Sequence, residues 1–313
     1  MDTDATDEAR EALKTIPVFA GLDPAAIEIQ RLGGLTNLVF RVSQGADSWC
    51  LRLPGAGTEE YIDRANEAVA AKEAARAGVS PELIFADAGS GIMVTQFVDG
   101  AETMTADLFK SRPGAPARAG EAFRQLHRSD ARFDFRFELF AMIDDYLGIL
   151  AGKTVDMPDG YHDVLKEAET VRRALAANPA EVAACHCDPL SENFLDTGER
   201  MWIVDWEYSG MNDPMWDLGD LSVEAEFDAA QDDEMLRAYF GGEPGPDEFG
   251  RVVIYKAMCD LLWTLWGLIQ HANDNPAEDF WAYSTGRFAR CKALMATPDF
   301  TRHVGAVAAG RVR

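Results

Sequence analysis

The chain has 313 residues, 47% apolar and 26% charged. That composition excludes collagenous, disordered and disulfide-scaffold classes, and the length fits two domains of about 150 residues each. Its 29 Lys and Arg stand against 53 Asp and Glu, a formal charge of −24; such a chain repels nucleic acid and anionic membranes and attracts a small cation, or a nucleotide whose charge a metal partly cancels.

The N-terminus, MDTDATDEAREALK, is acidic and lacks the apolar core of a signal peptide. Residues 34–43 and 48–53 alternate polar and apolar side chains, which predicts an antiparallel pair of strands. The Ala- and Glu-rich segment 59–77 predicts a helix closed by Gly78. Two short strands are predicted near 82–87 and 92–97, across the turn Gly89-Ser90-Gly91. Beyond Asp99-Gly100 helical patterns dominate, near 103–110, 115–128, 136–151, 161–178, 228–240, 250–273 and 276–295. One β-rich island interrupts them at 182–206. The longest apolar stretch, Val252 to Ile269, is broken by Lys256 and Asp260, which predicts a core helix and no membrane insertion. Five cysteines without regular spacing predict reduced thiols and a cytoplasmic protein. The fold class expected is α+β. A small antiparallel-sheet lobe with one helix spans residues 1–97, and a larger, mostly helical lobe spans 98–313.

The polar chemistry is concentrated in the β-rich island. His186 ends an apolar strand, and Asp188 and Asn193 follow on a loop, five residues apart. A second apolar strand, Met201-Trp-Ile-Val, delivers Asp205 at its end. Carboxylates at the ends of apolar strands are poor packing residues, because burying them unpaired is expensive. Phosphoryl transfer needs such a set: one carboxylate to orient the attacking hydroxyl and take its proton, and an amide oxygen with a second carboxylate to hold magnesium against the phosphates. The Asp-to-Asn spacing equals that of the kinase catalytic loop, and Asp205 falls where the kinase metal-binding aspartate belongs. Cys185, His186 and Cys187 do not form a metal site, since consecutive strand residues point to opposite faces.

The first lobe carries weaker signals. Gly33-Gly34-Leu35-Thr36-Asn37 suits a turn whose N–H groups and Thr36 hydroxyl face phosphate oxygens, and equally an ordinary hairpin turn. Arg52 is the cation on the second predicted strand, and Glu67 on the helix is a partner for it. Trp263 and Trp266, three residues apart, share a helix face, as core aromatics or as walls around a cation.

These residues resemble a family. His186-x-Asp188-x4-Asn193, the strand ending Asp205-x-Glu207-Tyr208, then Asn212 and Asp217-Leu-Gly, are similar to choline/ethanolamine kinases, within the wider aminoglycoside-phosphotransferase-like group of the protein-kinase fold. The resemblance extends over about residues 30–295, through Leu35-Thr-Asn-Leu-Val-Phe, Cys50-Leu-Arg52-Leu, Val94-Thr-Gln96-Phe97-Val98, Trp263-Thr-Leu-Trp266 and Phe280-Trp-Ala-Tyr283-x3-Arg287-Phe288. It implies a bilobal protein-kinase-like fold and a phosphotransferase using ATP and Mg²⁺ on the hydroxyl of a small cationic amino alcohol, most simply choline. Ethanolamine, thiamine or an aminoglycoside are the alternative acceptors, and a non-catalytic nucleotide-binding homologue is the rival class. A monomer or homodimer is implied.

By the same resemblance, Thr36, Asn37, Arg52 and Glu67 serve the phosphates, and backbone groups around Gln96 and Val98 bind adenine. Asp188 is the base, and Asn193, Asp205 and Glu207 are the magnesium ligands. Tyr208, Glu224, Trp263, Trp266, Phe280 and Tyr283 surround the substrate cation. Asp217 and His186 are braces for the catalytic loop. Two positions depart from the family pattern: Phe280 stands where a tyrosine is common, and Leu190 follows Pro189 where eukaryotic members carry a polar residue.

Overall fold

The computed structural model describes residues 2–33, 37–55 and 62–310. Strands β1 (Glu28–Gly33), β2 (Leu38–Gln44), β3 (Asp47–Leu53), β4 (Leu83–Ala86) and β5 (Met93–Gln96) form one antiparallel sheet in the order β1-β2-β3-β5-β4. The pleat decides which side chains meet. Phe40 pairs with Leu51, and Leu51 with Val94, and all three are fully buried. With Val42 and Leu53 they face helix α1 (Asp2–Leu13), whose Ala9 and Leu13 close the smaller core. The alternate residues of β3, Cys50 and Arg52, point to the opposite face and line a cleft.

Helix α2 (Arg64–Arg76) crosses beside the sheet, and its buried Ala70, Ala71 and Ala74 belong to the larger core. The predicted helix over 59–77 starts later, at Arg64, because Asp63 caps it by accepting from the N–H groups of Ala65 and Asn66. Residues 59–61 of that prediction, and residues 34–36 of the predicted first strand, lie outside the described residues. Two elements of this lobe were not expected. In β1, apolar residues fall at Ile29 and Leu32, a helical spacing, and the pairing with β2 shifts register between Arg31 and Gly33. In α1 the acidic composition masks an apolar pair four residues apart.

The rest is mainly helical. Strand β6 (Glu102–Thr103) leads into α3 (Ala106–Ser111), so the helix predicted from 103 begins only after Thr105, which caps it. Helices α4 (Ala115–His127), α5 (Leu139–Ala151) and α6 (Tyr161–Ala177) follow as expected, with α5 three residues shorter at its start. The β-rich island folds as β7 (Ala183–Cys185), β8 (Phe194–Asp196) and β9 (Met201–Ile203), and a further strand, β10 (Gly210–Asn212), follows beyond its predicted end. β7 pairs with β10, and β6, β8 and β9 form a three-stranded sheet. Five helices complete the chain: α7 (Met215–Glu224), α8 (Ala229–Phe240), α9 (Pro246–Ala272), α10 (Phe280–Met295) and α11 (Pro298–Ala309).

Helix α9 is long and apolar enough to cross a membrane by length and composition. It is instead the axis of the larger core, packed by α5, α7, α10 and α11, as its broken apolar run predicts. Two glycines permit the tight contacts. A Cβ at Gly219 of α7 would meet the Val252 carbonyl oxygen at 2.8 Å. A Cβ at Gly267 of α9 would meet Ser284 Oγ at 2.4 Å and Tyr283 Cδ1 at 2.6 Å on α10. These contacts fix the three helices that wall one end of the cleft.

Candidate active site

The loop after β7 is held rigid from beneath. Asp217, on α7 and fully buried, accepts hydrogen bonds from the backbone N–H groups of His186 (2.8 Å) and Cys187 (2.9 Å), and lies 2.9 Å from Nε2 of His127. Cys187 adopts a left-handed conformation, φ 68°, and Trp216 Nε1 donates to its carbonyl oxygen at 3.1 Å. A strained backbone turn of this kind persists only where its surroundings fix it. His186 Nε2 lies 2.9 Å from the Val204 carbonyl oxygen, which can only accept, so the proton is on Nε2. Burial pulls the pKa of His186 down and keeps the ring neutral. His186 and Asp217 are thus scaffold residues, as expected.

The bracing aims the acidic and amide side chains. Asn193 Nδ2 donates to the Asp188 carbonyl oxygen at 3.1 Å, which leaves the Asn193 amide oxygen free to accept or ligate. The Val204 N–H donates to the Asn193 carbonyl oxygen at 2.9 Å, so the end of β9 lies against the start of β8. Asp205 follows immediately, also left-handed at φ 66°. Asp188, Asn193 and Asp205 open onto one cleft of about 850 Å³. Burial, then the nearby Glu224 carboxylate, push the Asp188 carboxyl up to about 7. Burial, then Glu207, push Asp205 well above the ordinary carboxylate range.

Across the cleft, Arg52 forms an ion pair with Glu67 of α2 and lies 3.4 Å from Asp205 and 3.3 Å from Glu207. Arg64 bridges Glu67 and Glu207, each at 2.8 Å, and Asn37 Nδ2 donates to Glu207 at 2.7 Å. Glu207 therefore ties the catalytic β-island to the sheet lobe through three residues. One carboxylate oxygen from each of Glu67, Asp205 and Glu207 lies within 4.8 Å of the others, a hard-oxygen donor set that suits magnesium. Gln96 and Val98 line the cleft where β5 ends, beside Cys50, Met93 and Thr95. Asn37 and Glu67 act one step back from its wall, and Thr36 lies outside the described residues.

The other end of the cleft is aromatic and acidic. Tyr208, Glu224, Trp263, Trp266 and Tyr283 all line it. Tyr208 stands edge-on to Trp263 at 5.5 Å, and Trp266 edge-on to Tyr283 at 5.8 Å. Phe280 does not line it. It is 2% exposed, at the first turn of α10, and stands edge-on to Trp266 at 5.6 Å and to Tyr283 at 6.2 Å. Trp263 Nε1 donates to Asp220 of α7 at 3.3 Å, and the other oxygen of this fully buried carboxyl has no partner. Arg287 of α10 pairs with Glu224 and Asp260 and stacks over Tyr283. Sequence reasoning left out Arg64 and Asp220, and quoted Arg287 in a motif without giving it a role. Arg64 and Glu67 are three apart on one helix face, a readable signal; the roles of Asp220 and Arg287 depend on how α7, α9 and α10 meet.

A braced aspartate loop, an asparagine and a second aspartate at the ends of facing strands, and an arginine of the opposing sheet paired with a helix glutamate define a phosphotransferase of the kinase-like fold. The profile of the phosphotransferase enzyme family matches residues 28–249. The solved structure of a choline/ethanolamine kinase family protein from Mesorhizobium loti is 67% identical, covers 98% of this chain and 100% of its own, and superposes with a TM-score of 0.89. Protein LicA of Haemophilus influenzae is 27% identical over 281 residues, 86% of this chain and 80% of that protein. A structure of LicA in complex with AMP is 26% identical, covers 86% of this chain and 92% of its own, and has a TM-score of 0.70. The chain belongs to the phosphotransferase enzyme family, within its choline/ethanolamine kinases.

Proposed function

We propose that the protein transfers the γ-phosphoryl group of Mg·ATP to the hydroxyl of choline. The observation that carries this reading is the continuity of the cleft: Arg52, Asp188 and the aromatic residues all line a single cavity. A nucleotide at Arg52 and an ammonium at the aromatic residues would bring a phosphate and a hydroxyl together at the aspartate.

The relative in complex with AMP supports nucleotide binding. Arg52, held by Glu67, would neutralise phosphate charge, and backbone groups near Gln96 and Val98 would take the base. Of the clustered carboxylates, Asp205 and Glu207 are candidate magnesium ligands, and the amide oxygen of Asn193 is a third. Bound there, the metal would neutralise charge developing on the phosphates. Asp188 would align the hydroxyl and take its proton. A quaternary ammonium has no N–H to donate, so ring faces and unmatched negative charge must hold it, at about 0.5–2 kcal/mol per cation–π contact. Tyr208, Trp263, Trp266 and Tyr283 supply the rings and Glu224 the charge. Ethanolamine is the second reading, because the Glu224 carboxylate is an acceptor for a primary ammonium.

The test is a screen of amino alcohols with γ-labelled ATP. Labelled phosphocholine should form, and choline should be the better acceptor. Trp266→Ala should lower kcat/KM for choline by about 3–30-fold and for ethanolamine by less. Magnesium-dependent nucleotide binding without transfer to any amino alcohol would sink the proposal.

A further inference from the structure

An ammonium pocket has no electrostatic use for a resident cation, yet Arg287 sits in this one. It is 4% exposed, and it lines the cleft. Its guanidinium pairs with Glu224 of α7 and with Asp260 of α9 at 3.1 Å, and lies 4.6 Å from the Tyr283 ring centroid. Like charge beside a cationic substrate is repulsive, so the position must return something. Neutralising Asp260 does not require it, since Arg290 already pairs with Asp260 at 2.7 Å. What Arg287 alone does among the described residues is occupy the Glu224 carboxylate and cover one face of Tyr283.

Both effects fall unequally on the two amines. A primary ammonium is compact and strongly hydrated, and its N–H groups need acceptors to replace the water they lose. With Glu224 Oε1 engaged by the guanidinium, one of its two oxygens is already shared and its charge is partly offset. A trimethylammonium group makes no such demand. It needs ring faces and a diffuse negative field, and Tyr208, Trp263 and Trp266 still offer rings.

We propose that Arg287 is the specificity-determining residue of this pocket: by holding Glu224 and covering Tyr283, it disfavours amines that carry N–H donors and leaves the quaternary ammonium as the preferred acceptor. The proposal rests on the amino-alcohol kinase reading above and sharpens it.

Steady-state kinetics on the full chain test it, first with the wild type. Ethanolamine, its N-methyl and N,N-dimethyl derivatives and choline form a series in which N–H donors disappear one at a time. The proposal expects kcat/KM to rise along the series, chiefly through KM. Arg287→Lys keeps the charge and loses the fork, and Arg287→Met loses both. The choline-to-ethanolamine ratio of kcat/KM should fall by about tenfold in Arg287→Met and by less in Arg287→Lys, with KM for ATP unchanged. A purely structural arginine would lower both acceptors together and leave the ratio alone. Should Arg287→Met not fold, the Lys variant and the wild-type series still decide. A flat or reversed wild-type series, or a ratio unchanged within about twofold in a folded variant, overturns the proposal while the kinase reading stands. Turnover of no amino alcohol at all overturns the reading itself.

Discussion

Burial and the Glu224 carboxylate together raise the Asp188 carboxyl to about 7, and Arg287 pulls in the opposite direction. Only the ionised form can take a proton from the attacking hydroxyl, and its fraction grows as pH rises through that value. In the free enzyme kcat/KM should therefore fall by about tenfold per pH unit on the acid side of 7. Glu224→Gln removes the raising charge and releases Arg287, so the acid limb should move to lower pH; a pH–rate profile of the two proteins checks this. An unmoved limb would mean that another group titrates. At this scale much of the site was legible in the chain. Asp188, Asn193 and Asp205 announce themselves because carboxylates at strand ends have little packing use, and the structure does gather them in one cleft. Phe280 misleads because Glu278 and Tyr283, on either side of it in the chain, line the cleft while Phe280, at the first turn of α10, is buried away from it. Arg287 stood in the sequence as part of the Phe280-Trp-Ala-Tyr283-x3-Arg287-Phe288 resemblance but without a role; its significance needs Glu224, Asp260 and Tyr283, which come from three different stretches of chain.

Among the elements, the meeting of α9 and α10 does the most to shape the substrate end. Gly267 lets Tyr283 and Ser284 approach the α9 backbone. Gly267→Ala would place a methyl 2.4 Å from Ser284 Oγ and 2.6 Å from Tyr283 Cδ1, so α10 must shift. The expected outcome is a loss of about 1–3 kcal/mol in stability and a raised KM for the amino alcohol, with KM for ATP nearly unchanged. Thermal melts and two-substrate kinetics separate these effects; equal rises in both KM values would point to general loosening. Strong periodicity made β2, β3, β5, α4, α6 and α8 readable. Helix α7 escaped because its interior positions include Asp217 and Asp220, both fully buried, where an amphipathic pattern demands apolar residues. Those same two carboxylates brace the catalytic loop and hold Trp263. The violation of the local rule marks the functional helix.

Over the whole molecule the formal charge is −24, and the cleft shares its sign, with Asp188, Asp205, Glu207 and Glu224 in its wall. A bare nucleotide polyphosphate entering that field is repelled despite Arg52. Magnesium-bound ATP should raise Tm well above ATP with a chelator, by an amount equivalent to about 2.7 kcal/mol at one hundred times its Kd. Asp205→Asn should abolish most of the difference, and a variant that retained it would remove Asp205 from the metal's ligands. The two-core layout, a sheet closed by α1 and a helical body around α9, explains why composition and periodicity revealed the fold class but not the cleft. A cleft is made by residues far apart in the chain, and Glu207 reaching Asn37 and Arg64 spans 170 and 143 positions.

The most direct trial is ³¹P NMR of the purified protein with Mg·ATP and choline, run beside Asp188→Asn. The wild type should convert the γ-phosphate resonance into that of a phosphate monoester of choline, with ADP in equal amount. The variant should bind ATP nearly as well yet form about a thousandfold less product or none. Product formed at the wild-type rate by Asp188→Asn, or ATP consumed by the wild type only to inorganic phosphate, would contradict the account.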